Sequence, residues 1–169
     1  METKSLYIIR HAKAELPTFD KDDFDRDLLP KGTNRAELIA QKLKAQLPAM
    51  DEKTLVISST ANRAMQTAKI FCNILGYPEE RIVWEPKVYQ AHYLFLVKRL
   101  NDVPASYDYV LLFGHNPGVS DLIGYAADRF VNLKTAYTAC LELEEGIDYS
   151  LLSANTASLK KIITENENS

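Results

Sequence analysis

Short apolar runs that alternate with segments of helical period restrict this chain more than any other feature of its sequence. Leu6–Arg10, Thr54–Ile57, Ile82–Trp84 and Val110–Phe113 are such runs. At that length they read as strands buried on both faces. Between them, apolar residues recur every three or four positions: Ala36, Ile39, Ala40, Leu43 and Leu47, then Ala64, Met65, Ala68, Phe71, Cys72 and Leu75. These spacings predict helices over 33–47, with Thr33 as N-cap and Pro48 as stop, and over Ala61–Leu75, closed by Gly76. Two further helices are expected over Ala91–Leu100 and Val119–Ala127. Strand–helix alternation implies an α/β fold, a three-layer α/β/α sandwich around a mostly parallel sheet. Tyr137–Leu143 and Tyr149–Ala154, separated by Glu144-Glu145-Gly146, predict a hairpin that adds an antiparallel edge. The polar stretch 12–33 reads as a long loop, and loops of that length are usually functional. At 169 residues the chain is read as one domain over 1–163 with a polar tail over 164–169.

Three of the strands end in groups that packing does not ask for. Leu6–Arg10 runs into His11; Thr54–Ile57 leads through Ser58-Ser59-Thr60-Ala61-Asn62 to Arg63; Val110–Phe113 ends in Gly114-His115. In open α/β sheets ligands bind beyond the carboxyl ends of the strands, so Arg10, His11, Arg63 and His115 are expected to gather there. Two guanidinium groups suit a phosphoryl group, because each rigid fork binds two oxygens at once. A neutral imidazole can attack phosphorus and split one displacement into two. His11 is therefore the expected nucleophile, kept neutral by the arginines beside it. Arg10 and Arg63 are the expected phosphate ligands, and His115 a donor to the phosphoryl oxygens. Each residue alone reads more simply as a surface charge or a hydrogen-bonded structural His. It is their joint placement at strand ends that points to chemistry.

The three segments, in this order, resemble the histidine phosphatase superfamily, also called phosphoglycerate mutase-like, whose first motif reads Arg-His-Gly or Arg-His-Ala. The short length, and Asp25-Arg26-Asp27-Leu28-Leu29-Pro30-Lys31-Gly32, are similar to the SixA-type phosphohistidine phosphatases. That group more often has Pro-Leu-Thr where Asp27-Leu28-Leu29 stands. The resemblance runs from Leu6 to about Leu143 and implies the same roles for Arg10, His11, Arg63 and His115. Arg26 is expected to reach the substrate or brace the pocket, and reads equally well as an ion-pair partner of Asp25 or Asp27.

A net charge of -3 argues against a nucleic-acid partner, which calls for a basic footprint. No apolar run approaches the roughly 20 residues of a membrane span, and no secretory leader pattern opens the chain. A cytoplasmic protein is expected. Cys72 and Cys140 read as buried free thiols. With the three His far apart and no CxxC or HExxH spacing, no metal and no cofactor are expected. His92 reads as a helix-surface residue, and Trp84 and Tyr89 as core or rim aromatics.

An alkoxide leaving group needs a proton from a placed acid. Glu85, Asp20 and Asp25 are the candidates, each equally readable as a solvated structural carboxylate. If none serves, the substrate is expected to carry a leaving group that departs readily, as the ring of phosphohistidine does. The reading is then a metal-independent phosphatase acting on a phosphorylated protein through phospho-His11, for example the phosphotransfer domain of a signalling relay. The alternatives are a phosphomonoesterase for a small phosphate ester and a non-catalytic phosphate-binding module.

Overall fold

The computed structural model describes residues 3–48 and 50–166. Strands β1 (Ser5–Arg10), β2 (Thr54–Ser58), β3 (Val83–Trp84), β4 (Tyr109–Gly114), β5 (Thr138–Leu143) and β6 (Ala157–Ile163) form one sheet in the order β3-β2-β4-β1-β5-β6. The pairs β3–β2, β2–β4 and β4–β1 are parallel, while β1–β5 and β5–β6 are antiparallel. Helices α1 (Pro30–Lys44) and α2 (Asn62–Leu75) cover one face; α3 (Tyr93–Asn101) and α4 (Gly118–Ala127) cover the other.

Two-residue periodicity divides each central strand between these faces. Leu6 and Ile8 pack with Leu96, Leu100, Val119, Leu122 and Ile123 of α3 and α4. Ile9 packs with Ile39 and Leu43 of α1 and Phe71 of α2. β2 and β4 do the same, with Ile57 and Leu112 on the first face and Val56, Leu111 and Phe113 on the second. This double burial is the expected α/β/α arrangement. Among the described residues, no helix is long and apolar enough to cross a membrane.

The edge departs from expectation. Residues 149–151 form a 3₁₀ turn instead of a strand, and the edge strand is Ala157–Ile163. Asp148 caps the turn by accepting from the Ser150 N–H at 2.8 Å. Tyr149 is fully buried and donates its hydroxyl to Ser5 O at 2.7 Å, while Asn101 Nδ2 donates to Tyr149 O and Leu152 O. These apolar residues therefore plug the core instead of joining the ladder. The strand that does pair keeps Ser158, Lys160 and Lys161 toward solvent, a charged edge that resists further pairing.

The first helix starts at Pro30, earlier than Thr33, and ends at Lys44, short of Pro48. Proline suits the first helical position, where its missing N–H costs nothing. The chain reaches it already anchored: Leu29 N–H donates to Lys13 O at 3.0 Å, and Ala14 bridges Leu28. Gly32 then lies so close to this segment that a Cβ would meet Lys13 O at 2.1 Å. Only glycine lets α1 press on the chain two residues after His11.

Cys72 and Cys140 are free and buried, and burial pushes both thiols up to about 12. His92 is the N-cap of α3, its Nδ1 accepting from Leu94 N–H at 3.2 Å. The tail expected from residue 164 is held as far as Asn166 by Lys42, whose Nζ donates to Thr164 O at 2.8 Å and to Asn166 O. Its remaining residues, 167–169, lie outside the described residues.

Candidate active site

The carboxyl ends of the three central strands are level, with Arg10 opposite Gly114 and Ser58 opposite Phe113. The ladder continues one residue past each tip: His11 N–H donates to Gly114 O at 3.0 Å and Ser59 N–H to Phe113 O at 3.1 Å. This sets His11, His115 and the entry to α2 side by side. The His11 and His115 rings lie 5.2 Å apart, and Arg63 Nε donates to His11 Nε2 at 3.3 Å. Thr67 locks the chain after β1 to α2, its hydroxyl accepting from Ala12 N–H at 2.9 Å and donating to Arg63 O at 2.7 Å.

Hydrogen bonding determines the tautomer of His11. Nδ1 lies 2.8 Å from Ala12 O, which can only accept, so Nδ1 carries the proton. Nε2 faces Arg63 Nε, which can only donate, so Nε2 keeps its lone pair. Burial, and then the charges of Arg63, Arg10 and Arg26, push the ring down to about 4 against the Ala12 hydrogen bond. His115 is pushed down to about 3, by burial first and then by His11 and Arg63. Its Nε2 lies 2.7 Å from Ser59 Oγ, and its buried Nδ1 has no partner among the described residues.

Both rings should thus be neutral at pH 7. An unfolded chain protonates its His near pH ~6.5; these two take protons only near 4 and 3 when folded. Between those limits the unfolded state binds more protons, so stability present above pH ~6.5 is lost as pH falls through that window. Nitrogen-15 NMR should show His11 at pH 6 as the neutral Nδ1–H tautomer with no imidazolium, and the urea midpoint should fall on acidification across the same range.

Arg10 donates from Nη1 to Leu133 O at 3.2 Å, while its buried Nε has no acceptor among the described residues. Burial and the neighbouring Arg63 push its guanidinium below the ordinary range, as close like charges do. Two guanidinium groups, one of them with a buried unpaired N–H on Arg10 Nε, make a site that favours an oxyanion.

Asp23 is the carboxylate at this site, and sequence reasoning missed it. Its Oδ2 accepts from Arg63 Nη2 at 3.0 Å and from the Tyr89 hydroxyl at 2.6 Å. Its Oδ1 takes Arg26 Nε at 2.9 Å and Nη2 at 2.8 Å, and its carbonyl takes Arg63 Nη1 at 2.7 Å. The Tyr89 hydrogen bond, with those of Arg63 and Arg26, holds the carboxyl down at about 2 despite some desolvation. Tyr89 is a rim aromatic, its ring 5.5 Å from His115 and 5.0 Å from Phe24.

The other candidates fall elsewhere. Glu85 is paired with Arg99, Oε1 to Nε at 3.0 Å. Asp20 lies on the exposed stretch 16–20, and Asp25 is exposed, touching α2 through its carbonyl, which accepts from Asn62 Nδ2 at 3.2 Å. Arg26 is brought to the site, but through Asp23 and Glu15 O, at 2.5 Å from Nη1, instead of through Asp25 or Asp27. The local signal for Asp23 was its position three residues before Arg26, a spacing that Asp22, four residues before it, nearly shares. Ser59 stood in the quoted motif without a role, and Thr67 lay one helical turn beyond Arg63.

Residues 6–85 match the family model described as histidine phosphatase superfamily (branch 1). An uncharacterized protein of Mycobacterium tuberculosis, Rv1276c, is 33% identical over 114 residues, 68% of this chain and 66% of that protein. Among solved structures, a putative phosphohistidine phosphatase SixA from Nakamurella multipartitia superposes with a TM-score of 0.81 at 23% identity, covering 96% of each chain. The protein histidine phosphatase SixA complexed with tungstate superposes with a TM-score of 0.78 at 21% identity, covering 95% of this chain and 97% of that one. These likenesses in structure are likenesses of fold. The match to the histidine phosphatase superfamily (branch 1) takes in the first strands and α2, where Arg10, His11 and Arg63 lie.

Proposed function

We propose that the chain is a phosphatase that moves the phosphoryl group of a protein-borne phosphohistidine onto His11 and then to water. His11 Nε2 attacks phosphorus with the lone pair that its tautomer leaves free, and the P–N bond to the substrate ring breaks. Arg10, Arg63 and His115 meet the three equatorial oxygens, on which charge accumulates in the transition state. Water then attacks phospho-His11, the electron pair returns to Nε2, and inorganic phosphate leaves. The side chains supply nucleophile and charge stabilisation themselves, so the reaction is read as metal-independent.

The observation that carries phosphohistidine over an alkyl ester is the state of Asp23. An alkoxide must be protonated as it leaves. Asp23, held down at about 2, is ionised at neutral pH and has no proton to give. Glu85 is committed to Arg99. A substrate whose leaving ring brings its own proton needs neither.

The test is turnover in the presence of chelator, comparing a phosphohistidine protein with sugar phosphates, nucleotides and an aryl phosphate. The expected result is a clear preference for phosphohistidine. Preference for an alkyl phosphate would move the assignment to a metabolic phosphomonoesterase. Phosphate binding without turnover of any substrate would make the chain a binding module.

A further inference from the structure

We infer that Asp23 is the group that receives the leaving ring: its carboxylate accepts a hydrogen bond from the distal ring N–H of the substrate phosphohistidine and keeps that ring protonated until the P–N bond breaks. The inference rests on the phosphohistidine reading and adds to it a residue for the leaving group.

Position carries the argument first. His11 is 7% exposed and forms the floor, while the Asp23 side chain is 42% exposed at the mouth. A phosphohistidine on another protein can enter only from solvent, so its ring must lie outward of the phosphoryl group, on the Asp23 side. Arg63 links the two ends, touching His11 Nε2 with Nε and Asp23 with both terminal nitrogens. A phosphoryl group gripped by Arg63 therefore has the nucleophile behind it and this carboxylate in front.

Acceptor capacity carries it further. A carboxylate offers about four lone-pair sites. Arg63 and Tyr89 take those of Oδ2, and Arg26 takes Oδ1 twice. When the terminal nitrogens of Arg63 turn to phosphoryl oxygens, one site on Oδ2 opens, and a ring N–H can fill it. The groups that face Asp23 are Arg26 beside its own turn, Arg63 of α2, Tyr89 after β3 and, through the Tyr89 ring, His115 at the end of β4. With those partners the carboxyl stays ionised throughout the neutral range.

The step balances without an external acid. The substrate ring arrives protonated on its distal nitrogen and phosphorylated on the other, carrying a positive charge. As His11 Nε2 forms its bond to phosphorus, the P–N electron pair returns to the departing nitrogen. The ring leaves as neutral imidazole with its distal proton in place, not as imidazolate. An ionised partner favours the charged form of a neighbouring ring, so Asp23 extends the pH range in which the substrate is ready to leave.

The test uses the full chain and compares wild type with Asp23→Asn, which keeps one oxygen acceptor but loses the charge. Measured are kcat/KM for a phosphohistidine peptide and for an aryl phosphate, whose leaving group needs no proton, across roughly pH 5 to 9. The ratio of the two should fall roughly tenfold in the variant, and the basic limb for phosphohistidine alone should move to lower pH. Tyr89→Phe, which removes a hydrogen bond but keeps the charge, should preserve that limb. Equal losses on both substrates with unmoved limbs would overturn the inference and leave Asp23 as a positioning residue for Arg63 and Arg26. Failure of the wild type itself to turn over phosphohistidine would overturn the underlying reading, and the inference with it.

Discussion

Replacing His11 by Ala is expected to abolish turnover, with a loss on the order of 10⁴-fold or more, as removal of a covalent nucleophile does elsewhere. The fold should survive. His11 stands at a strand tip, and its backbone bond to Gly114 O does not depend on the side chain. The local cost is the Ala12 carbonyl, which loses its Nδ1–H donor, about 1–3 kcal/mol at most. Against that, a ring held neutral by burial is removed, so the acid-side loss of stability should become shallower. Rapid quench should trap phosphoenzyme in the wild type and none in the variant. Near-normal turnover in His11→Ala would sink the covalent mechanism.

The second large effect is expected at Arg63. Its side chain is 6% exposed and bonds His11 and Asp23 together. The charge it meets grows in the transition state, so Arg63→Ala should lower kcat and raise KM together. Loss of one such preorganised donor costs about 10²–10³-fold in kcat. Arg63→Lys should restore little, because a single ammonium cannot face His11 and two Asp23 oxygens at once. The pH profile should also move. Arg63 is among the charges that hold His11 down to about 4, so removing it raises the ring toward its ordinary value. His11 must be neutral to attack, and the acid limb of kcat/KM in Arg63→Ala should therefore lie at higher pH than in the wild type. An unmoved limb would mean that Arg63 does not act on the nucleophile through its charge.

Proton economy ties these residues to substrate choice. Strong donors keep Asp23 ionised and burial keeps His11 neutral, so under the proposed mechanism the site offers a nucleophile and anion ligands but no ready acid. Chemistry in such a site favours leaving groups that bring their own proton.

Which parts of this were legible locally follows from the range of the forces involved. Strand β4 is apolar along its whole length because both faces are covered, and that pattern needs no knowledge of its neighbours. The Gly76 that terminates α2 could be read in the same way. The hairpin at the edge could not. Tyr149 and Leu152 look like strand residues, but the apolar core with α3 and α4 claims them, Asn101 and Ser5 taking up their polar atoms, and the pairing falls to the more polar segment after them.

Arg10, His11, Arg63 and His115 could be nominated from the sequence itself, because each stands at or just past the carboxyl end of a strand-like run and open sheets place ligands there. The α/β class followed from the same alternation. What tertiary structure alone decided is which polar residue of the long 12–33 loop meets that group. Asp20, Asp22, Asp23, Asp25 and Asp27 share one composition, and the loop has no period to aim them. Asp23 is selected by a 3₁₀ turn held between Arg63 on α2, Arg26 and Tyr89, partners up to 66 positions away. Hydrogen bonds over such separations depend on how helices and loops pack against the sheet, and no local pattern encodes them.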